Sequence, residues 1–185
     1  NAGGPHCLKH GVTANHVLGL VVVLGDGAVV TLGGEGLDAP GADLASVVTG
    51  SEGTLAVLCE LCLRLVPAPE DVQTRSFDFA SVDEACRAVS AVIAAGIVPA
   101  AMELMDRQTM EVVEQWLHLG LPLDAAAVLI VEVDGPAVSL PPQVERIGTI
   151  ARAHGARAVR AAAGAAERAA LWRGRKSSYG AYGRT

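Results

Sequence analysis

Gly50-Ser51-Glu52-Gly53-Thr54-Leu55-Ala56-Val57 is the stretch whose reading decides the fold. Two glycines bracket a Ser-Glu pair, and an apolar run rich in strand formers begins at once and continues to Val66. Glycine admits positive φ and leaves no Cβ between the backbone and whatever lies against it. A bend of this kind feeding directly into a strand can set main-chain N–H groups against a phosphate or the edge of a cofactor ring. The plainer alternative is a tight helix-to-strand turn with no ligand, since short glycine motifs recur by chance.

The chain before the bend supplies a small sheet. The run from His16 to Leu24 is β-branched and apolar and reads as a mostly buried strand. Asp26-Gly27 is a hairpin signal, returning the chain through a second strand from Ala28 to Leu32. Gly33 to Gly41, with Pro40, reads as loop, after which Asp43 caps a short helix from Leu44 to Val48 that delivers the chain to the bend. The opening Asn1-Ala2-Gly3-Gly4-Pro5 is loop by every local signal. His6, Cys7 and His10 lie close together but lack a fourth ligand and a second cluster, so they read as solvated loop residues and no metal site is assigned. Past the bend, Leu55 to Val66 reads as one long strand. Its Cys59 and Cys62 have the spacing of a redox or zinc pair, yet residues three apart on a strand face opposite ways and no second pair exists. Both are expected to be core or half-buried thiols.

Pro67-Ala68-Pro69-Glu70 interrupts the pattern and marks a boundary between a domain of residues 1–66 and one of residues 67–185. The second part alternates. Thr74 to Phe79 is a strand with Phe77 and Phe79 on one face. Ser81 caps a helix from Val82 to Ala95, with Glu84 placed for a capping box, and Gly96 ends it. Pro99 to Met105 is a strand; Asp106 caps a helix from Arg107 to His118, whose apolar stripe is Val112, Val113, Trp116 and Leu117. Ala126 to Val133 is the most hydrophobic strand. Pro141 and Pro142 open a helix to His154, Ala156 to Arg160 is the last strand, and Ala165 to Lys176 the last helix. This order predicts an α+β or α/β unit, with an antiparallel sheet covered by helices on one face.

Composition sets outer bounds. Of 185 residues, 51% are hydrophobic but only 3% aromatic, so the core must be built from Ala, Val and Leu. A net charge of -6 gives no basic stripe for a nucleic-acid backbone. The locally basic stretch from Arg152 to Arg184 is diluted with Ala and reads as helix surface. The most apolar run, Val17 to Leu24, is too short to cross a bilayer. With no signal-peptide pattern and four cysteines in no disulfide framework, a cytoplasmic setting is the default expectation. The chain begins at Asn1 without Met and stops at Thr185 with no evident end to the fold, which reads as a piece of a longer protein.

Taken together, several separate motifs resemble one family, the FAD-linked 2-hydroxy-acid dehydrogenases of the glycolate oxidase FAD subunit and D-lactate dehydrogenase type. They are Asn1-Ala2-Gly3-Gly4, Lys9-His10-Gly11-Val12-Thr13, the run from His16 to Gly27, the Gly50 bend, Pro99 to Asp106, Leu129 to Gly135, and Leu171-Trp172-Arg173-Gly174-Arg175-Lys176. The likeness covers essentially the whole chain in the family's order. It implies the second lobe of a vanillyl-alcohol-oxidase-type FAD domain up to residue 66, followed by the start of a substrate-covering cap domain. It also implies that the first FAD lobe lies before Asn1 and that the family's metal-binding and proton-abstracting histidines lie after Thr185, leaving no catalytic residue to name here.

Carried across, the resemblance makes FAD the cofactor. It places Asn1, Gly3, Gly4, Gly50, Glu52, Gly53 and the backbone at Ala56 and Val57 along it, and Arg175 on the substrate carboxylate. A guanidinium suits that task because its paired donors match two carboxylate oxygens; by itself, Arg175 reads as one solvated arginine on a basic helix. Glu103 and Glu132, in strand-like runs where a buried carboxylate needs a partner, are expected to be structural partners of arginines or, as the alternative, groups standing behind the residues that touch a ligand. The sequence departs from the family at Ala56, usually Gly, where a Cβ is expected to crowd the cofactor or shift the backbone. It also departs at Cys59, Val21 and His10. The activity implied is oxidation of glycolate or D-lactate by hydride transfer to FAD, with electrons leaving to a partner subunit or a quinone-linked acceptor and a peripheral place at the inner membrane through that partner. Two rival readings remain: a non-catalytic fragment that holds no FAD by itself, and a small α+β regulatory module.

Overall fold

The computed structural model describes residues 1–36 and 41–183, and the chain divides into two compact units, Asn1–Pro67 and Ala68–Thr185. The expectations for Pro40 and for Arg184 lie outside the described residues. No helix among the described residues is long and apolar enough to cross a membrane.

The first unit is a three-stranded antiparallel sheet with one short helix on it. A single helical turn, α1 (Cys7–His10), and a 3-10 turn (Thr13–His16) stand where loop and the strand's start were expected. β1 (Val17–Val23) is central, flanked by β2 (Val29–Gly33) and β3 (Val57–Leu63), and α2 (Leu44–Val48) crosses one face. The hairpin is set by Asp26, whose Oδ1 accepts the Ala28 N–H at 3.0 Å, and by Gly27 at φ 86°. Leu20 and Val22 turn toward Ala45, Val48 and Ala56 to make a small core. Asp43 caps α2, accepting the Ser46 N–H at 3.0 Å.

β3 departs from expectation. It is shorter than the run from Leu55 to Val66, and six of its seven residues are exposed, Cys59 among them. Cys62 is half-buried, so only one thiol sits as predicted. The register steps from Val21↔Glu60 to Val22↔Leu58, which leaves Cys59 as a bulge residue. A bulge breaks the period of two, so the argument that Cys59 and Cys62 must face opposite ways fails locally.

In the second unit β4 (Asp71–Phe79), β5 (Ala101–Asp106), β6 (Ala127–Gly135) and β7 (Ala158–Ala161) form a sheet in the order β5-β6-β4-β7, every neighbour antiparallel. β4 and β5 are therefore parallel with β6 between them, and β6 and β7 are parallel with β4 between them. These are two interlocked split β-α-β units of the ferredoxin-like kind. Their crossover helices, α3 (Val82–Ala94) and α5 (Leu140–Ala153), share one face of the sheet. α4 (Arg107–Leu117) follows β5, and α6 (Ala165–Tyr182) closes the unit.

Helices cover both faces, which corrects the one-face expectation. Every residue of β6 from Ala127 to Val133 is buried, and such a run needs cover on both sides. Phe77, Phe79, Leu129, Val131 and Val133 pack with Ala85, Ala88, Val92, Val144 and Ile147 of α3 and α5. Met105, Val128 and Ile130 face the other way, with Met110 of α4 and Trp172 of α6.

α6 runs six residues past its expected end at Lys176. Gly174 and Gly180 read as helix weakeners in sequence, but both sit at close contacts instead. A Cβ on Gly174 would meet Leu119 Cδ1 at 3.3 Å, and one on Gly180 would meet the Trp116 ring at 3.6 Å. The capping box at α3 is half made. Ser81 Oγ accepts the Glu84 N–H at 3.2 Å, but among the described residues the Glu84 carboxylate accepts no bond back and its Oε2 is buried without a partner.

Asp106 is a complete cap, accepting the Thr109 N–H at 2.8 Å. Thr109 holds the Asp106 carboxyl below its ordinary range, through side-chain and then backbone hydrogen bonding. Replacing Asp106 with Ala should cost about 1 kcal/mol in urea unfolding. A lowered folded-state pKa means this contribution is present above the unfolded value, about 3.9, and fades as pH falls through the folded one. The gap between wild type and D106A should therefore close in acid.

Candidate functional site

The bend after α2 is held by few bonds. The Ser51 N–H donates to Val48 O at 3.0 Å, while the Thr54 N–H and hydroxyl both donate to Ser51 O, at 3.0 and 2.6 Å. Gly50, Glu52 and Gly53 have φ of 90°, 52° and 79°. Among the described residues the N–H groups of Glu52 and Gly53 meet no acceptor, and both residues are exposed. The Ser51 hydroxyl is buried with no partner among the described residues. Successive free amides in such a turn form a concavity suited to an anion.

Asn1 lies directly against this bend. A Cβ built on Gly50 would come within 2.7 Å of the Asn1 Cβ, so only glycine fits there, for space as well as for φ. The opening segment is tied down in turn. Asn1 Oδ1 accepts the Ala14 N–H at 2.9 Å, the Thr13 hydroxyl reaches Ala2 O at 3.3 Å, and the Gly4 N–H meets Cys7 Sγ at 3.0 Å. The structure thus brings Asn1 to Gly50, with Glu52 and Gly53 on the same turn. Gly3 faces Cys7 Sγ, Gly4 faces open space, and Val57 begins β3 with its side chain exposed. Ala56 is the correction. Its methyl is buried with Leu20, Val22, Ala45 and Val48, so the Cβ expected to crowd a cofactor fills the core. Ser51 was missed, although it stands inside the bend motif itself.

The second cluster lies wholly in the second unit. Arg175 on α6 lines a cleft of about 260 Å³ with Thr109, Ser178, Tyr179 and Tyr182. Its Nε donates to Glu103 Oε2 on β5 at 2.7 Å and its Nη1 to Ser178 Oγ at 3.4 Å, while Nη2 meets no acceptor among the described residues. The Thr109 and Tyr182 hydroxyls pair at 3.1 Å. Ser178, Tyr179 and Tyr182 follow Arg175 at helical spacing on one face; that signal is legible only if the helix continues past Lys176.

Glu103 is the arginine partner expected of it, but Glu132 is not. The Glu132 carboxylate is buried, and its Oε2 accepts the Thr74 hydroxyl at 2.8 Å and the Trp172 Nε1–H at 2.7 Å, neutral donors in place of a cation among the described residues. Among the described residues no group of three His, Cys, Asp or Glu could hold a metal ion. The His16 ring instead bonds the His10 carbonyl at 3.0 Å.

Residues 68–185 match the family described as FAD linked oxidases, C-terminal domain. The chain is 42% identical over 184 residues to the glycolate oxidase subunit GlcD of Escherichia coli strain K12, covering all of this chain and 37% of that protein. It is 40% identical over 185 residues to the GlcD subunit of Bacillus subtilis, covering all of this chain and 39% of that one. A D-lactate dehydrogenase of Archaeoglobus fulgidus is 36% identical over 62% of this chain and 26% of its own length. The chain therefore spans less than two fifths of the relatives it matches end to end. Among solved structures, an alkyldihydroxyacetonephosphate synthase superposes with a TM-score of 0.67 at 18% identity, over 91% of this chain and 34% of that one. That likeness speaks to the fold alone. The chain belongs to the FAD-linked oxidases, the flavoproteins whose C-terminal domain is matched by residues 68–185.

Proposed function

We propose that the protein carrying this chain oxidises a small 2-hydroxy acid, glycolate or D-lactate, to the corresponding 2-oxo acid. The observation that carries the reading is Arg175, whose guanidinium lines a cleft with one terminal nitrogen unpaired, a ready anchor for a carboxylate. The relatives named for glycolate oxidation and for D-lactate dehydrogenation support the substrate class. FAD, when bound, supplies the acceptor for the hydride that leaves the substrate's C2. The residues offered to it are the free N–H groups of Glu52 and Gly53 and the Gly50–Asn1 contact. Glycines there permit close backbone approach, and amide donors suit a pyrophosphate. The substrate's hydroxyl proton goes to a base that is assigned to none of the described residues. Electrons pass onward to an accepting subunit, in keeping with relatives that are themselves named as subunits.

The exposed face of β3 favours a second statement about the 185 residues alone. Leu58, Leu61 and Leu63 stand in solvent, so residues 1–67 are not a self-sufficient lobe, and this chain by itself is expected to hold FAD weakly or not at all. One experiment tests both. The full-length protein should purify yellow and lose its flavin absorbance when glycolate or D-lactate is added without oxygen; the 185-residue chain should purify colourless. A full-length flavoprotein that neither acid bleaches would refute the substrate reading, and a yellow 185-residue chain would refute the second.

A further inference from the structure

We infer that Glu103 is a positioning residue for Arg175, fixing which edge of the guanidinium is offered to the substrate's carboxylate. This rests on the reading of Arg175 as the carboxylate anchor. An arginine can present two forks, one made by Nε with a terminal nitrogen and one made by the two terminal nitrogens. Glu103 Oε2 takes Nε at 2.7 Å, which closes the first fork. Ser178 Oγ accepts from Nη1 at 3.4 Å, a long and weak bond, and Nη2 is unclaimed. The end fork is therefore the one left for a ligand. The pairing is sheltered enough to hold a rotamer: the Glu103 and Arg175 side chains are 18% and 33% exposed.

The two partners also come from different elements. Glu103 stands on the edge strand β5, in register with Ile130 of β6, whereas Arg175 reaches over from α6. A strand thus sets the angle of a side chain on a helix, while Ser178, one turn on from Arg175, gives its own proton to the Arg175 carbonyl at 2.9 Å and holds the guanidinium only weakly. A negative charge beside an anion-binding arginine is electrostatically unhelpful to the anion. Its presence makes sense if orientation outweighs charge, and this gives the inference its test.

In the full-length holoprotein, Glu103→Ala should raise KM for the hydroxy acid by roughly ten- to hundredfold, as misplaced binding groups do, with bound flavin and thermal stability retained. Glu103→Gln keeps an oxygen that can accept from Nε and should recover most of that loss, although it removes the charge. Glu103→Asp keeps the charge but withdraws the oxygen by one methylene, and should raise KM; it serves if the alanine variant folds poorly. If Glu103→Ala and Glu103→Gln both lower KM, Glu103 merely opposes the anion, and the inference is overturned. If Glu103→Ala and Glu103→Asp leave KM unchanged, Glu103 is structural, and the inference is again overturned. Arg175→Met measured alongside separates the two levels. An unchanged KM there defeats the anchor itself, while a raised KM with an inert Glu103 defeats only the positioning.

Discussion

Arg175→Met in the full-length protein is expected to raise KM for glycolate or D-lactate about a hundredfold or more while leaving the flavin bound. Methionine keeps much of the aliphatic stem and removes every donor. A charged hydrogen bond contributes roughly 1.5–3 kcal/mol, and about 1.4 kcal/mol is a factor of ten. Loss of a two-pronged contact to a carboxylate thus reaches two orders of magnitude. Arg175→Lys keeps the charge but not the fork, and should fall between wild type and the methionine variant. Steady-state kinetics with both acids decides the matter, and an unchanged KM in the methionine variant would remove Arg175 from the site.

Phe77→Ala should be the most damaging single change to the second unit, at about 3–5 kcal/mol. The chain has only two phenylalanines, Phe77 and Phe79, and both are wholly buried in one cluster on β4. Around them the two crossover helices contribute Ala85, Ala88 and Ala151, which cannot swing into a void, beside Val92, Leu140, Val144 and Ile147, already packed in place. The cavity left by a lost ring would stay open, and cavity cost adds to lost transfer energy. Against a typical domain stability of roughly 5–15 kcal/mol this is a large fraction. Urea unfolding of the 185-residue chain should show a clearly lowered midpoint. Val29→Ala, at a residue 70% exposed, should stay within about 0.5 kcal/mol of wild type.

Much of the second unit was legible because its signals are local. Ser81 and Asp106 are cap residues whose hydrogen bonds form as their sequence position suggests, and β6 announces itself as a continuous apolar run. What the chain hid was long-range. Gly174 and Gly180 weaken a helix by propensity, yet α6 continues because both lie against residues of α4 and the loop that follows it. That extension is what puts Tyr182 opposite Thr109, so half the cleft was invisible while the helix was ended at Lys176. The two-sided cover of the sheet was missed for a similar reason: α4 and α6 reveal their common face only when packed.

In the first unit the Gly50 bend was readable as a place needing glycine, but its nearest neighbour was not. Nothing in local spacing joins Asn1 to Gly50; only the resemblance put both on one cofactor. Ala56 misled because a departure from a motif draws attention to the ligand side, whereas the methyl packs with Val22 and Val48 on the core side. β3 misled because its composition is that of a buried strand and its surroundings are not. Asp78 was passed over altogether. Burial raises its carboxyl above the ordinary range, Arg160 at 3.5 Å only partly opposes this, and Oδ1 has no partner among the described residues.

The account turns on whether the Gly50 bend and the opening Asn1 segment together receive the flavin. The flavin-to-protein ratio of full-length Gly50→Val, measured beside wild type with cooperative unfolding as a check on folding, addresses this directly. A valine side chain at φ 90° and 2.7 Å from the Asn1 Cβ must push the two apart. The ratio should fall from near one flavin per chain to a small fraction of it, in a protein that still unfolds cooperatively. A folded variant that keeps its full complement of flavin would contradict the account.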